Sequence, residues 1–246
     1  VTATFAVILP AAGKSSRFKG KEKKPFATLE GRPVWLRSAE LFVTRPEVKQ
    51  VLITIAGEDR ELFQRRYAAN IMFLNIKVVE GGAERVDSVA NTLAQLDPTV
   101  NFVAIHDAVR PCAPAVTIDA VFQMAQLHGA AMLGIAVADT LKHVNASMQV
   151  TGTQPRANLW LAQTPQVFRR DWLEDAYRRR GEVKGEITDD AQLLEAIGHT
   201  VKMVPGALEN IKITANEDLA MAERFLKSRK PDPVKVRGPF DDDLFR

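Results

Sequence analysis

One cysteine, Cys112, stands in a chain of 246 residues, which excludes an intrachain disulfide framework and a cysteine-rich metal site. A lone thiol fits a reducing compartment, so a cytoplasmic protein is expected. Long apolar runs are missing as well. The longest, Ala130 to Ala138, falls far short of the roughly 20 residues that span a bilayer, so no membrane partner is expected. No secretory leader pattern is visible, and the Val1 start reads as a trimmed N-terminus. Aromatic residues make up 7% of the chain and do not alternate with lysines, and the net charge is +3. Both facts argue against a base-stacking, backbone-neutralising nucleic-acid binder. Two common phosphate-binding fingerprints are absent, Gly-x-x-x-x-Gly-Lys-Ser/Thr and Gly-x-Gly-x-x-Gly, and there is no internal repeat.

The 46% of hydrophobic residues suffices to bury a large core, and one domain is expected over residues 1–229. Residues 230–246 carry prolines and an acidic triplet without periodicity, and read as a flexible tail. The apolar run Phe5-Ala6-Val7-Ile8-Leu9 is too short for a helix and is stopped by Pro10, so it reads as a buried parallel strand. It delivers the chain into Ala11-Ala12-Gly13-Lys14-Ser15-Ser16-Arg17, followed by Lys21, Lys23, Lys24 and Pro25. Small residues let a ligand approach main-chain N–H groups, while Lys14, Arg17 and Lys24 can neutralise phosphate charge. Triphosphate binding is the chemistry this loop suggests.

Further along, strand-like runs alternate with amphipathic helical patterns, the mark of βαβ units. Val34 to Phe42 reads as a helix, Val51 to Ala56 as a strand, the stretch around Leu62, Phe63 and Arg66 as a helix, and Ile76 to Val79 as a strand. A strand-to-helix turn is expected at Gly81-Gly82, with a helix from Arg85 onward, and the strand Phe102 to Ile105 ends at His106-Asp107. Three clusters therefore fall at strand ends, where open parallel sheets bind ligands. Residues 139–168 break the rhythm and read as an extended arm. Thr188-Asp189-Asp190 reads as a helix N-terminus with Gly198 as its stop. Val201 to Val204 and Asn210 to Thr214 read as extended pieces, and Thr214-x-x-Glu217 resembles a capping box opening a last helix.

Taken in order, Leu9-Pro10-Ala11-Ala12-Gly13-x-x-x-Arg17, Lys24-Pro25-Phe26, Gly81-Gly82-x-Glu84-Arg85-x-Asp87-Ser88-Val89, His106-Asp107-Ala108-Val109-Arg110-Pro111, Asp139-Thr140, Thr164-Pro165-Gln166, Thr188-Asp189-Asp190 and Asn210-Ile211-Lys212-Ile213-Thr214 match one family over about Thr4 to Lys227. The chain resembles the 2-C-methyl-D-erythritol 4-phosphate cytidylyltransferases, which join a sugar-alcohol phosphate to CMP from CTP in non-mevalonate isoprenoid synthesis. The resemblance implies a Rossmann-like nucleotidyltransferase fold with a mostly parallel sheet flanked by helices, a homodimer held partly by a β-arm, and Mg²⁺ as cofactor. It assigns Arg17 and Lys24 to the α-phosphorus of CTP, and Arg156 and Lys212 to the attacking phosphate. It also implies that Ala11, Ala12, Gly13, Gly82, Ser88 and Ala108 line the cytidine and triphosphate pocket, and that Asp107 lies near ribose and metal. Arg110 and Thr140 match acceptor contacts, with Thr140 and Arg156 supplied by the partner subunit.

Such a reaction needs positioning and cationic stabilisation more than a base, because a phosphate monoester is already a nucleophile at pH 7. Simpler roles compete for several of these residues. Asp107 could merely cap a turn, Lys212 could be a solvated edge lysine, Arg156 could make an inter-subunit ion pair, and His106 reads as structural. The chain departs from the family pattern at Ala83, Val109 and Pro25, and Lys23 stands as a second candidate beside Lys24. Two rival functions remain at this point, a ribitol 5-phosphate cytidylyltransferase on the same fold and a nucleotide-binding module without turnover.

Overall fold

The computed structural model describes residues 3–13, 18, 22–183 and 185–229. Arg17 and Lys14, and the segment 230–246 read as a tail, lie outside the described residues. The strands are β1 (Phe5–Pro10), β2 (Thr28–Leu29), β3 (Arg32–Pro33), β4 (Val48–Ile55), β5 (Ile76–Glu80), β6 (Phe102–Ile105), β7 (Ala130–Ala136), β8 (Leu141–Val144), β9 (Val150–Gln154), β10 (Trp160–Arg169) and β11 (Lys202–Pro205). The helices are α1 (Val34–Glu40), α2 (Gly57–Phe73), α3 (Arg85–Leu93), α4 (Ala115–His128), α5 (Arg170–Arg178), α6 (Ala191–Ala196) and α7 (Asn216–Ser228). Seven strands form one sheet in the order β11-β7-β10-β6-β1-β4-β5, parallel except for β10.

β1 shows why the sheet is covered on both faces. Successive side chains of a strand point to opposite faces. Phe5, Val7 and Leu9 join the core under α1, α2 and α4, with Trp35, Phe63, Ile118 and Phe122. Ala6 and Ile8 join the opposite core, with Val89 and Leu93 of α3, Leu173 and Ala176 of α5, and Leu194 of α6. A strand apolar at every position is thus what a doubly covered parallel sheet requires. From β1 the chain builds outward through β4 and β5, then returns to the other side of β1 as β6. That reversal is the switch point of the sheet, where the loops at the strand ends part and leave a crevice.

Several sequence expectations change in the folded chain. Residues 139–168 contain the β8–β9 ladder, but the stretch ends in β10, which runs antiparallel between β6 and β7 as a central strand of the main sheet. Its polar residues hid it. Gln163, Thr164 and Gln166 are buried, and their side chains bond to the 207–210 loop, His106 and α6 instead of water. Asn210 to Thr214 forms no strand, although Ile213 N–H bonds across to the Val109 carbonyl at 2.9 Å. The carboxylate opening α7 is Asp218, not Glu217, since its Oδ2 accepts from Thr214 N, Thr214 Oγ1 and Ala215 N. At α6 the capping bond comes from Asp189, which accepts from Gln192 N at 3.0 Å, while the Asp190 side chain turns inward.

Candidate active site

At the ends of β1, β4, β5 and β6 opens a cleft of about 710 Å³. One wall is Pro10 to Gly13 with Lys24 and Pro25, the opposite wall is Gly81 to Arg85 with Ser88, and Asp107, Val109 and Lys212 lie at its end. The two glycines are a steric necessity. A Cβ on Gly81 would lie 2.4 Å from Ala12 Cβ, so the two walls can approach this closely only without it, and one on Gly82 would lie 2.3 Å from Asp87 Cβ, so the loop can fold onto the first turn of α3 only as glycine. Ser88 Oγ fastens the second wall, accepting from Gly82 N and donating to the Glu84 carbonyl, both at 3.0 Å. On the first wall Ala11 N–H is already spent on Thr54, at 3.1 Å to its carbonyl and 3.2 Å to Oγ1. Ala11 therefore contributes surface to the cleft and no main-chain donor.

Lys24 is separated from its neighbour by what each meets. Lys23 Nζ is held by Glu58 at 2.9 Å and by Asp59 at 2.5 Å and does not line the cleft. Lys24, the first residue of the short 3₁₀ turn Lys24–Phe26, whose first turn also holds Pro25, does line it.

A second cavity of about 190 Å³ adjoins the first. It is lined by Arg110, Gln163, Thr164, Gln166, Thr188 and Asp189, and shares Arg85, Asp107 and Lys212 with the larger cleft. Asp107 is the hub between the two. Its side chain is 9% exposed, and it meets Lys212 Nζ at 3.0 Å, Arg110 Nε at 3.2 Å and Arg85 Nε at 3.9 Å. Burial opposes its ionisation, but Lys212, Arg85 and Arg110 together hold its carboxyl far below the usual carboxylate range. Arg110 is itself buried and donates to the Asn210 carbonyl at 2.7 Å. Three cations set against two carboxylates, Asp107 and the Asp190 that meets Arg85 at 2.6 Å, leave an excess of positive charge, which suits a polyanion.

His106, directly before the hub, is fully buried. Asp107 N–H donates to Thr164 Oγ1 at 3.0 Å, the Thr164 hydroxyl can then donate to His106 Nδ1 at 3.2 Å, and Nε2 donates to the Arg110 carbonyl at 3.0 Å. Both ring nitrogens serve the β6 end, so the residue is structural. Burial, outweighing the hydrogen bonds, lowers its pKa from 6.5 to about 4. An unfolded chain therefore binds this proton before the folded one does. The contribution is harmless above pH 6.5 and costs up to about 3 kcal/mol as pH falls toward 4. Urea unfolding of His106→Gln should lack this acid-side decline between pH 6.5 and 4. A wild-type decline of the same size in that variant would remove His106 as its source.

The folded chain brings Ala11, Ala12, Gly13, Lys24, Gly82, Ser88, Asp107 and Lys212 to the large cleft and Arg110 to the small one. Ala108 lines neither, being buried with its carbonyl accepting from Ser38 Oγ. Arg156 and Thr140 also line neither, and both are exposed beside the β8–β9 ladder. Sequence reasoning passed over Arg85, which stood in a quoted motif without a role, and Thr188 and Asp189, which it treated only as a helix start. The signal for Arg85 was its position three residues after Gly82, at the first turn of α3.

A doubly wound sheet with a cationic cleft at its switch point defines a nucleotide-binding α/β protein. Comparison with known proteins narrows this. The family model described as 2-C-methyl-D-erythritol 4-phosphate cytidylyltransferase matches residues 5–228. A protein of that name from Rhodopirellula baltica is 39% identical, over 94% of this chain and 98% of its own length, and one from Alkaliphilus metalliredigens is 36% identical over 94% and 96%. The crystal structure of the enzyme so named from Thermus thermophilus superposes with a TM-score of 0.74 at 31% identity, covering 90% of this chain and 98% of that one. The 4-diphosphocytidyl-2C-methyl-D-erythritol synthase of Anaerococcus prevotii gives 0.77 at 27%, covering 92% and 97%. The chain belongs to the 2-C-methyl-D-erythritol 4-phosphate cytidylyltransferase family.

Proposed function

We propose that this protein transfers CMP from CTP to 2-C-methyl-D-erythritol 4-phosphate, releasing pyrophosphate, as a step of isoprenoid biosynthesis. The observation that carries the reading is the pair of adjoining cavities joined at Asp107, Lys212 and Arg85, one of nucleotide size and one small and polar, as two anionic substrates require. An oxygen of the acceptor phosphate attacks the α-phosphorus of CTP, a P–O bond forms in line, and the bond to the β-phosphate oxygen breaks with its electrons going to pyrophosphate. The attacking phosphate monoester is largely a dianion at neutral pH, its second pKa being about 6, so no side chain need remove a proton.

Lys24 at the cleft wall would neutralise charge growing at the α-phosphorus, together with Arg17. Lys212, now held by Asp107, would turn toward the acceptor phosphate, and Arg110 would keep Asp107 in place. Gly13, Gly82 and Ser88 would shape the cytidine pocket with Ala11, Ala12 and, from beneath, Ala108. Among the described residues no three His, Cys, Asp or Glu side chains cluster as a metal cage. That donor set still suits Mg²⁺, which binds through one or two carboxylates with substrate phosphates completing its shell. Asp107 Oδ1, whose ion pair among the described residues is the longer 3.9 Å contact to Arg85, is the oxygen that would hold it. When bound, Mg²⁺ would draw negative charge from the triphosphate and favour departure of pyrophosphate.

Because Arg156 and Thr140 line neither cavity, a homodimer in which each arm completes the partner's acceptor site is part of the reading. So are a single domain through residue 229 and a cytoplasmic location. Among the described residues no helix is long and apolar enough to cross a membrane. Pyrophosphate release with Mg²⁺ should require CTP over ATP, GTP and UTP, and methylerythritol phosphate over ribitol 5-phosphate. A preference for ribitol phosphate would reassign the acceptor, and CTP binding without turnover would leave a nucleotide-binding module.

A further inference from the structure

Beneath the cleft lies a buried polar chain that the transfer step does not use. Asp190, at the start of α6, is 1% exposed. Its Oδ1 accepts from the Tyr177 hydroxyl of α5 at 2.6 Å, and its Oδ2 accepts from Arg85 Nη2 of α3 at 2.6 Å. The carboxylate cannot drift, because the amide that follows it, Ala191 N–H, donates to Gln166 Oε1 of β10 at 3.0 Å. Of the three, Arg85 alone reaches the ligand space. Its side chain is 31% exposed, and among the described residues it shares with Asp107 and Lys212 the property of lining both cavities.

A buried carboxylate is costly unless it is paired and hydrogen-bonded, and here both oxygens are used. What the pairing secures is direction. A long arginine side chain free at a cleft wall samples many rotamers, whereas one gripped by a fixed carboxylate presents its planar donors at one place. Preorganised donors are worth most where negative charge converges. We infer that Tyr177 and Asp190 are positioning residues that hold Arg85 as a fixed cation at the junction of the two cavities, facing the phosphate groups of both ligands. The identity of those ligands rests on the transferase reading, but the relay does not.

The rival role is purely structural, tying α5 and α6 to α3. A double-mutant cycle on Tyr177→Phe and Arg85→Ala separates the two, read on kcat/KM and, independently of turnover, on calorimetric affinity for CTP and for inorganic pyrophosphate. Tyr177→Phe removes one oxygen and should lower kcat/KM and both affinities about tenfold, the effect of one hydrogen bond to a charged group. In the Arg85→Ala background the same change should have no further effect, since its only route to the ligand is gone. Arg85→Lys should not restore the loss, because a lysine cannot bridge Asp190 and a phosphate with a planar fork. Asp190→Asn, the harsher variant, should likewise be silent in the Arg85→Ala background. Additive losses would overturn the inference and leave the helix-tying role. A wild type that binds CTP without turnover would overturn the transferase reading while leaving the cycle readable, and one that binds neither CTP nor pyrophosphate would overturn both.

Discussion

Replacing Asp107 with asparagine is expected to reduce turnover to background and to lower the melting temperature by about 10 °C, with the shape of the side chain nearly preserved. The reason is charge. Asparagine would leave Lys212 and Arg110 without their carboxylate around a side chain that is 9% exposed, and Arg85 with Asp190 alone, and removing one partner of a buried ionic cluster costs about 3–5 kcal/mol. Arg110, buried and left with the Asn210 carbonyl, bears most of that cost, while Lys212 and Arg85 are open enough for water to relieve them. The pH dependence has a definite sign. The carboxyl of Asp107 is held below its unfolded value by these cations, so its stabilisation is fully present above the unfolded pKa of about 3.9 and is lost as pH falls through the lower folded value. Thermal unfolding followed by circular dichroism at pH 7 and pH 3 checks both statements. An asparagine variant that melts with the wild type at pH 7 would show that the cluster does not depend on this charge.

A second large effect is expected from mixing two dead proteins. Lys24→Ala removes a cation from the cleft wall, and Arg156→Ala removes one from the arm, and each should lower kcat about 10²-fold, as losing one oxyanion donor does. If each site combines Lys24 of one subunit with Arg156 of the other, a hybrid dimer carries one site with both changes and one site with neither. Random exchange in a symmetric dimer then returns roughly a quarter of wild-type activity, far above either parent. The motivation is geometric, since Lys24 lines the cleft while Arg156 lies exposed next to a ladder whose residues Val144 and Val150, with Met148 of the turn between its strands, are also exposed. Activity measured after verified subunit exchange is the test. Recovery no greater than the sum of the parents would place Arg156 outside a shared site.

Local chemistry made much of this legible before folding was considered. β1 and β6 each end in a turn-forming or polar motif, Pro10 to Gly13 and His106-Asp107, and the strand–helix rhythm around Gly81-Gly82 carries its own period and glycines. The cleft inherits its walls from these three loops, so its small residues and Lys24 could be nominated from the chain alone. Arg110 was nominated too, as a substrate contact. Folding places it on the wall of the small cavity, and what the chain alone did not show is its tie to the carbonyl of Asn210, a residue 100 positions away. β10 was misjudged because its polar residues would normally mark an exposed arm, and only their partners on the 207–210 loop and α6 make them interior.

What the sequence alone determined, then, is the α/β layering, the small-residue turn after β1 and the order of motifs that fixes the family, because periodicity and turn chemistry act over a few neighbouring residues. Tertiary structure alone decided the ion cluster on Asp107, the inward turn of Asp190 toward Arg85 and Tyr177, and the separation of Arg156 from the cleft. These depend on where distant segments meet, such as Arg85 with Asp190 across 105 positions. Side-chain charge declares what a residue can pair with, but the partner is chosen by burial and proximity, which exist only after the chain has folded.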